Sequence, residues 1–418
     1  MQDTPADETA SQSEPSQKLG SHAAMFVFLT VCLDSIGIGI IIPVLPDLIR
    51  ELAGLGLDGA ALWGGWLSFS YAIMQFVFGP LVGNLSDRFG RRPVLLTSLA
   101  VLTIDYLIMA LAPTLLVLFF GRVMAGIAAA TYSTCNAFIA DVSKPEDRAK
   151  NFGLLGAGFG LGFIIGPVLG GLVAEFGTRA PFYAAAGLAF LNFCYGMFVL
   201  PESLAKHKRR PFEWQRANPL GAFKRMRQVP TVAWFLVAIF LFDIAHFVYP
   251  AVWAYYTKEA FAWSSAEVGL SLAIVGIAMV VVQGWLIRVI LPRFGDAGTA
   301  VFGLLANAVT LTIVGFVTEG WMIYLFLPLA ALGAVVAPAL TGLMSNRIAD
   351  DSQGELQGAM TSITAITLVI SPVLMTQLFG YFASAQAPIY FPGAPFLAAA
   401  IMSLVALIPL AIGLNRER

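Results

Sequence analysis

From Met25 onward the chain repeats one pattern: about twenty or more mostly apolar positions, then a short polar break. Runs of that kind fall near 25–49, 62–85, 93–114, 115–140, 151–174 and 181–200. A second set falls near 231–256, 267–290, 298–318, 320–347, 354–381 and 390–414. At 1.5 Å per helical residue each run reaches across about 30 Å of hydrocarbon, so the pattern predicts twelve transmembrane helices. The short alternating strands of a membrane barrel are absent from it. Positions 1–24 differ: Ser, Gln, Asp and Glu dominate, which predicts an irregular cytoplasmic tail. That tail is too acidic, and the apolar run after it too long, for a secretory signal peptide.

Composition agrees with the pattern. Hydrophobic residues fill 58% of 418 positions and charged residues only 12%, about half the soluble norm. The few charges are unevenly placed. With these spans, 20 of the 24 Lys and Arg residues fall on one face, and only Arg50, Arg179 and Lys258 fall on the other, with Arg122 inside a span. The positive-inside rule puts the rich face, with both termini, in the cytoplasm. Trp63, Trp66, Trp263 and Trp321 are then expected at the outer interface. The cysteines, Cys32, Cys135 and Cys194, lie in separate spans with no metal-ligand spacing, and read as packing residues.

The longest polar break, 201–230, holds eight of the Lys and Arg residues and divides the spans six and six. The chain therefore reads as two six-helix halves, 25–200 and 231–414, joined by a cytoplasmic linker. Within the linker, Pro219 to Gln228 has the spacing of a short basic helix on an anionic membrane surface, or of a plain topogenic loop. The first helix of each half carries an intramembrane acid followed by a proline, Asp34 with Pro43 and Asp243 with Pro250. Repeated halves with a site at mid-membrane are how many secondary transporters are built.

Three strings carry chemistry. Gly83-Asn-Leu-Ser-Asp-Arg-Phe-Gly-Arg-Arg-Pro93 joins the second and third helices. In it Gly90 permits a tight reversal and Pro93 suits the next helix's first turn, while Asp87, Arg88, Arg91 and Arg92 can form a charged clasp that gates the cytoplasmic side. Anchoring by the positive-inside rule would explain its arginines but not its acid and glycines. In the fifth helix, Gly158, Gly162, Gly166 and Gly170 share one face at four-residue spacing, with Pro167 and Gly171 beside them. Such a face admits a close neighbour, and the proline makes the helix bendable. In the fourth helix, Arg122 opens Arg-Val-Met-Ala-Gly126, and the third helix offers Asp105 about midway along its span. A charge in hydrocarbon costs about 2.5–3.5 kcal/mol on insertion scales, so the two are expected to meet, as a structural ion pair or as a proton-coupling pair.

Asp34, Asp243 and His246 complete the deep ionisable groups; Asp243 and His246, three apart, share a helical face and read either as a proton relay or as a bonded structural pair. Gln75, Asn136, Gln283 and Asn307 are candidates to line a substrate cavity, with bonding between helices as the plainer alternative.

Taken together these strings resemble the major facilitator superfamily and, within it, drug–proton antiporters of the tetracycline-resistance type. The likeness runs from Phe28 to Leu414 and is denser in the first half. It rests on Leu33-Asp-Ser-Ile-Gly-Ile-Gly39 with Pro43-Val-Leu-Pro46, Tyr71-Ala-Ile-Met-Gln75, the loop around Asp87, Asp105-Tyr-Leu, Arg122 to Gly126 and the fifth-helix glycines. It implies a multi-pass bacterial inner-membrane protein that acts as a monomer, exporting a small molecule in exchange for protons without a cofactor. It also implies that Asp34, Asp105 and Arg122 serve coupling, that Asp87 and Arg91 serve gating, and that Gln75 and Gln283 lie near the substrate path. Where tetracycline exporters of the best-known group carry a histidine and an aspartate, this chain has Met279 and Asn307. Asp243 and His246 are then the candidates for that role.

The leading expectation is a proton-driven exporter of an amphipathic, drug-like compound, in contact with membrane lipids and with no part for nucleic acid. The alternative on the same scaffold is proton-coupled uptake of a small metabolite. No phosphate loop, HExxH pattern or Gly-x-Ser-x-Gly string supports an enzyme, and no metal is called for. A break of about 30 residues leaves no room for a sensor domain.

Overall fold

The computed structural model describes residues 14–129, 131–143, 147–213, 230–349 and 352–416, and every regular element among them is helical. The first half holds α1 (Met25–Ile41, continued by Leu45–Ala53), α2 (Leu57–Phe89), α3 (Arg91–Leu111), α4 (Leu115–Val142), α5 (Lys150–Phe176) and α6 (Ala180–Val199). The second half opens with α7 (Val232–Phe261). The run Ser265–Phe316 follows at 52 residues, which as one straight helix would span about 78 Å. At Gly295 (φ 63°) the backbone leaves the helical region, so this run is two helices, α8 (265–294) and α9 (296–316). Then come α10 (Gly320–Ser345), α11 (Gln353–Phe382) and α12 (Ala394–Asn415). Ten helices among the described residues are long and apolar enough to cross a membrane, eleven with the bent first pair, and dividing the long run at Gly295 brings the number of helical segments to twelve.

Local sequence explains the breaks. Pro43 lies where α1 stops at Ile41 and restarts at Leu45 with a 47° bend, and Gly54 (φ 66°) ends the continuation. Gly90 (φ 109°) makes the predicted reversal between α2 and α3, with Pro93 in the first turn of α3. Ser264 caps α8 through a reciprocal box with Glu267. Two readings meet corrections. The first helix extends back to Glu14, inside the stretch read as an irregular tail; Glu14 and Pro15 are favourable first-turn residues. Trp63, Trp66 and Trp321 are exposed as interface residues should be, but Trp263 is buried, stacked on Tyr324 at 4.9 Å. The suggested helix 219–228 lies outside the described residues. The three cysteines are free.

The glycine face of α5 meets α1 in strict register. A methyl group added at Gly158, Gly162, Gly166 or Gly170 would run into the carbonyl oxygen of Phe28, Cys32, Ile36 or Ile40 respectively. The spacing predicted a close neighbour, and that neighbour is α1. Gly171, on another side of α5, approaches the Ser265 carbonyl of α8, and Gly269 of α8 approaches the Pro167 carbonyl.

The halves meet along two seams, α5 with α8 and α2 with α11. The close approaches on the second seam place Gly65 against Thr376 and Gly380 against Leu62. All of these lie in the part of the membrane away from the basic loops. There, too, Lys258 Nζ of α7 reaches Asp47 Oδ2 at 2.6 Å, while the Ser265 hydroxyl donates within reach of Asp47 Oδ2 (3.1 Å) and the Pro43 carbonyl (3.2 Å). The halves are therefore held together at the far face.

Candidate functional site

Between the halves lies a cavity in three lobes of about 280, 760 and 260 Å³. Leu368 of α11 lines all three, Gln75 and Tyr71 line the first and third, and Phe159 the second and third. They adjoin one another around Leu368. The second lobe is largely apolar, walled by Phe163, Trp253, Tyr249 and Met279, with His246 and Gln283 as its polar points. Gln283 sits in a π-helical turn, Val282–Leu286, a widening of α8 that aims side chains differently from a regular helix.

Asp105 and Arg122 form the ion pair expected from their depths. The Asp105 side chain is fully buried and Arg122 is 16% exposed. Arg122 also lies over the Tyr71 ring, 5.2 Å from its centroid, and reaches the wall of the first lobe. Desolvation alone would make either charge prohibitive, and together they neutralise each other where water is scarce. Asp34 lines the third lobe beside Tyr71, Gln75 and Ser98, and its buried Oδ1 has no hydrogen-bond partner. Gln75 donates to the Ala129 carbonyl at 3.3 Å, tying α2 to the middle of α4.

The second half arranges its groups differently from the shared-face reading. Asp243 accepts a bond from Thr364 Oγ1 of α11 at 3.2 Å, while His246 stacks on Phe242 (5.3 Å) and lines the large lobe with an unpartnered Nδ1. No hydrogen bond joins the two among the described contacts. Three residues around a helix is a turn of about 300°, enough for one side chain to meet α11 and the other the cavity. Asn307 is a correction. It is fully buried, donates to Ser403 Oγ of α12 at 2.9 Å and packs against Gly333 of α10, so it holds the second half together instead of lining the cavity. Asn136 on α4 is likewise not among the lining residues, whereas Gln75 and Gln283 are.

The charged loop is engaged within its own half. Arg91 pairs with Asp87 (2.7 Å) and with Asp141 at the end of α4 (3.0 Å), and its main-chain N–H donates to Glu202 of the linker (2.8 Å). Arg92 donates to the Met197 carbonyl of α6 (2.7 Å), Arg88 lies over the Phe89 ring, and a methyl at Gly83 would meet open space. The linker adds Arg210 N–H to the Asp87 carbonyl (3.2 Å) and the Asn84 amide to the Glu213 carbonyl (2.7 Å). These partners all belong to the first half and the linker.

Sequence reasoning missed the Asp47–Lys258 clasp, Thr364 and Leu368. The signal for the clasp was available: one lysine and one acid, each near an outer helix end on a face with few charges. Leu368 and Thr364 carry no signal, since an apolar or hydroxyl residue on α11 becomes informative only once the halves are docked.

Comparison with known proteins agrees with this architecture. The model of the Major Facilitator Superfamily matches residues 27–296. The class C tetracycline resistance protein of Escherichia coli is 41% identical over 365 residues, 87% of this chain and 91% of that protein. The class G protein of Vibrio anguillarum is 37% identical over 390 residues, 92% and 96% of the two chains. Among solved structures, the nucleoside transporter NupG superposes with a TM-score of 0.76 over 95% of this chain and 99% of its own, at 14% identity, a likeness of fold. With the matched model covering more than half of its length, and its helices docked around a central cavity, the chain belongs to the Major Facilitator Superfamily of membrane transporters.

Proposed function

We propose that this transporter exports an amphipathic, drug-like compound from the cytoplasm in exchange for protons, acting as a monomer in a bacterial inner membrane with its basic face in the cytoplasm. One observation carries the reading: the wall of a largely apolar cavity bears Asp34, Arg122 paired with Asp105, and His246, with Asp243 behind it. Tetracycline resistance proteins as relatives at 37–41% identity support export.

The chemistry needs no cofactor. A carboxylate that is charged when the cavity faces the cytoplasm and protonated when it faces outward changes what the cavity will hold, because cargo and proton compete for the same wall. Rocking of the halves about the fixed site then turns that competition into exchange. Arg122 lowers the cost of the Asp105 charge, and protonation of Asp105 would free the guanidinium to move. Asp87 and Arg91 would engage the second half when the cytoplasmic side closes, exchanging their present partners for new ones. Met279 on the cavity wall and Asn307 away from it leave the second half without the histidine and aspartate of the best-known tetracycline exporters, so Asp243 and His246 take their place and the cargo extends beyond tetracycline.

The test is a proton assay in inverted vesicles with an acidic interior and a pH-sensitive dye. Tetracycline with magnesium, then a panel of lipophilic drugs, should trigger proton loss in wild type and none in Asp105→Asn. No response to any drug, together with substrate uptake that carries protons in the same direction, would replace export by uptake.

A further inference from the structure

Toward the basic face, the two helices of the α5–α8 seam leave a gap between them, and two cations stand at its mouth. The contacts of the seam are Gly171 with Ser265, Pro167 with Gly269 and Ile164 with Gly276. They set an antiparallel register. Continued toward the basic face, it brings Lys150 of α5 level with Arg288 of α8, about 32–35 Å from the outer end of the seam at 1.5 Å per residue. That distance is close to the hydrocarbon thickness of about 30 Å, so both stand at the depth of lipid phosphates. Between the last contact and the cations, methyl groups added at Gly153, Gly156 or Gly160 of α5, or at Gly284 of α8, would meet nothing within 4 Å. The 760 Å³ lobe reaches into this gap, since Gly156, Gly160 and the exposed Leu161 and Val280 belong to its wall.

Helical geometry puts both cations on the gap. Pro167, Ile164, Gly160, Ala157, Gly153 and Lys150 succeed one another at steps of three and four, a single helical face, and the first two lie against α8. Arg288 is twelve residues beyond Gly276 and would stand about 120° round from it in a regular helix. The extra residue of the π-turn Val282–Leu286 takes back about 100° of that, which brings Arg288 onto the face that meets α5. Both side chains are exposed, and among the described residues neither is in an ion pair. The described acid nearest to either in sequence, Asp147, precedes the helix of Lys150 by a turn and is exposed. Anchoring by the positive-inside rule asks only that the cations lie on this side of the membrane. It does not call for one from each half, level with each other at the mouth of an apolar cleft.

We propose that this cleft binds an anionic phospholipid from the leaflet on the basic face. Its phosphate sits between Lys150 and Arg288, and one acyl chain runs past Gly153, Gly156 and Gly160 into the large lobe. The chemistry is complementary at each point. Arg and Lys donate to phosphate oxygens while their stems lie along apolar wall. A cleft clear of side chains admits a methylene chain, and its apolar wall would leave a buried phosphate without partners. A zwitterionic headgroup brings its own ammonium toward the two cations, and that repulsion offsets its attraction. Because each half supplies one cation, a bound headgroup bridges the halves at the face opposite the Asp47–Lys258 clasp. The site goes beyond the exporter reading and does not depend on it.

Native mass spectrometry of the purified full chain, released from detergent micelles, tests it by counting bound lipid. The probes are dioleoylphosphatidylglycerol and dioleoylphosphatidylcholine, equal in chains and different in charge. The phosphatidylglycerol should bind saturably and at least about tenfold tighter, since each basic residue near a headgroup is worth roughly fivefold. Lys150→Gln and Arg288→Gln should each lose about fivefold for it. Arg293→Gln removes an exposed cation that lies five residues on and about 140° round the helix, and should lose nothing. Gly156→Phe fills the open space and should weaken binding at least about fivefold, while eluting from a sizing column like wild type. Millimolar glycerol 3-phosphate should not displace the lipid. Equal binding of the two lipids would mean an apolar cleft without selection for charge, and equal loss in Arg293→Gln a generally basic surface. Displacement by glycerol 3-phosphate, or no loss in Gly156→Phe, would mean a phosphate site without a chain. Each of these overturns the assignment. The wild-type lipid ratio and the glycerol 3-phosphate competition decide even if a variant misfolds.

Discussion

Removing the outer clasp should shift the balance between the two open forms, and its size can be worked out. Lys258 Nζ and Asp47 Oδ2 are 2.6 Å apart, with side chains 8% and 31% exposed. At an effective dielectric constant of about 20 the bare attraction is roughly 6 kcal/mol. Desolvation of a nearly buried ammonium takes back most of it, and the part-exposed carboxylate adds screening. A net of about 1–2 kcal/mol remains, which parting α1 from α7 at the far face would forfeit, and is equivalent to a five- to thirtyfold change in population. Lys258→Met keeps the stem and removes the charge; Asp47→Asn removes the other. Spin labels at Leu55 and Tyr381, exposed positions near the far ends of α2 and α11 in opposite halves, would read the separation by double electron–electron resonance. Each single variant should move population to longer distances by that factor. The double variant should move it no further than the singles, since both delete one interaction. Unchanged distance distributions, or additive effects of the two substitutions, would show that the clasp does not hold the far side shut.

Three other substitutions have definite expected outcomes. Gly162→Ala puts a methyl 2.6 Å from the Cys32 carbonyl, with backbone on both sides; forcing α1 and α5 apart should cost about 1–3 kcal/mol, seen as a lower midpoint in thermal fluorescence-detection chromatography, while Gly160→Ala, facing open space, should cost little. Asp105→Asn leaves Arg122 uncompensated and should lower that midpoint, with part of the loss recovered in the double variant with Arg122→Gln; strictly additive losses would deny the pairing. Asn307→Asp places a carboxyl in a closed pocket against Ser403 and Gly333, so it should destabilise by about 3 kcal/mol or stay protonated, and it should not improve tetracycline-driven proton release.

Much of this architecture was legible because it depends on local facts. Span lengths, the reversal at Gly90 and the register of Gly158, Gly162, Gly166 and Gly170 follow from hydrocarbon thickness, from φ above zero and from helical period. The Asp105–Arg122 pair was legible because opposite charges at mid-depth in consecutive spans have few alternatives. What escaped depends on how each helix is rotated about its own axis. A polar residue at the right depth can face the cavity, as Gln283 does, or its own bundle, as Asn307 does, and its own span is equally apolar in both cases. Asp243 and His246 show the same limit on a single helix. The partners of Asp87 and Arg91 escaped for another reason: a gating loop has more than one set of partners, and the sequence carries all of them at once.

The seam between α5 and α8 has a mechanical meaning. Where Gly171 meets the Ser265 carbonyl and Gly269 meets the Pro167 carbonyl, peptide surface slides on peptide surface with few side chains standing between. Helices that mesh ridge into groove resist rotation until a whole row jumps. A bare joint has little corrugation, so it acts as a smooth bearing, and the resistance to movement resides elsewhere, in the Asp47–Lys258 catch at the far face. The α1–α5 contact, four glycines deep, is the opposite kind of joint, a keyed one, which makes those two helices turn as a single slab on that bearing.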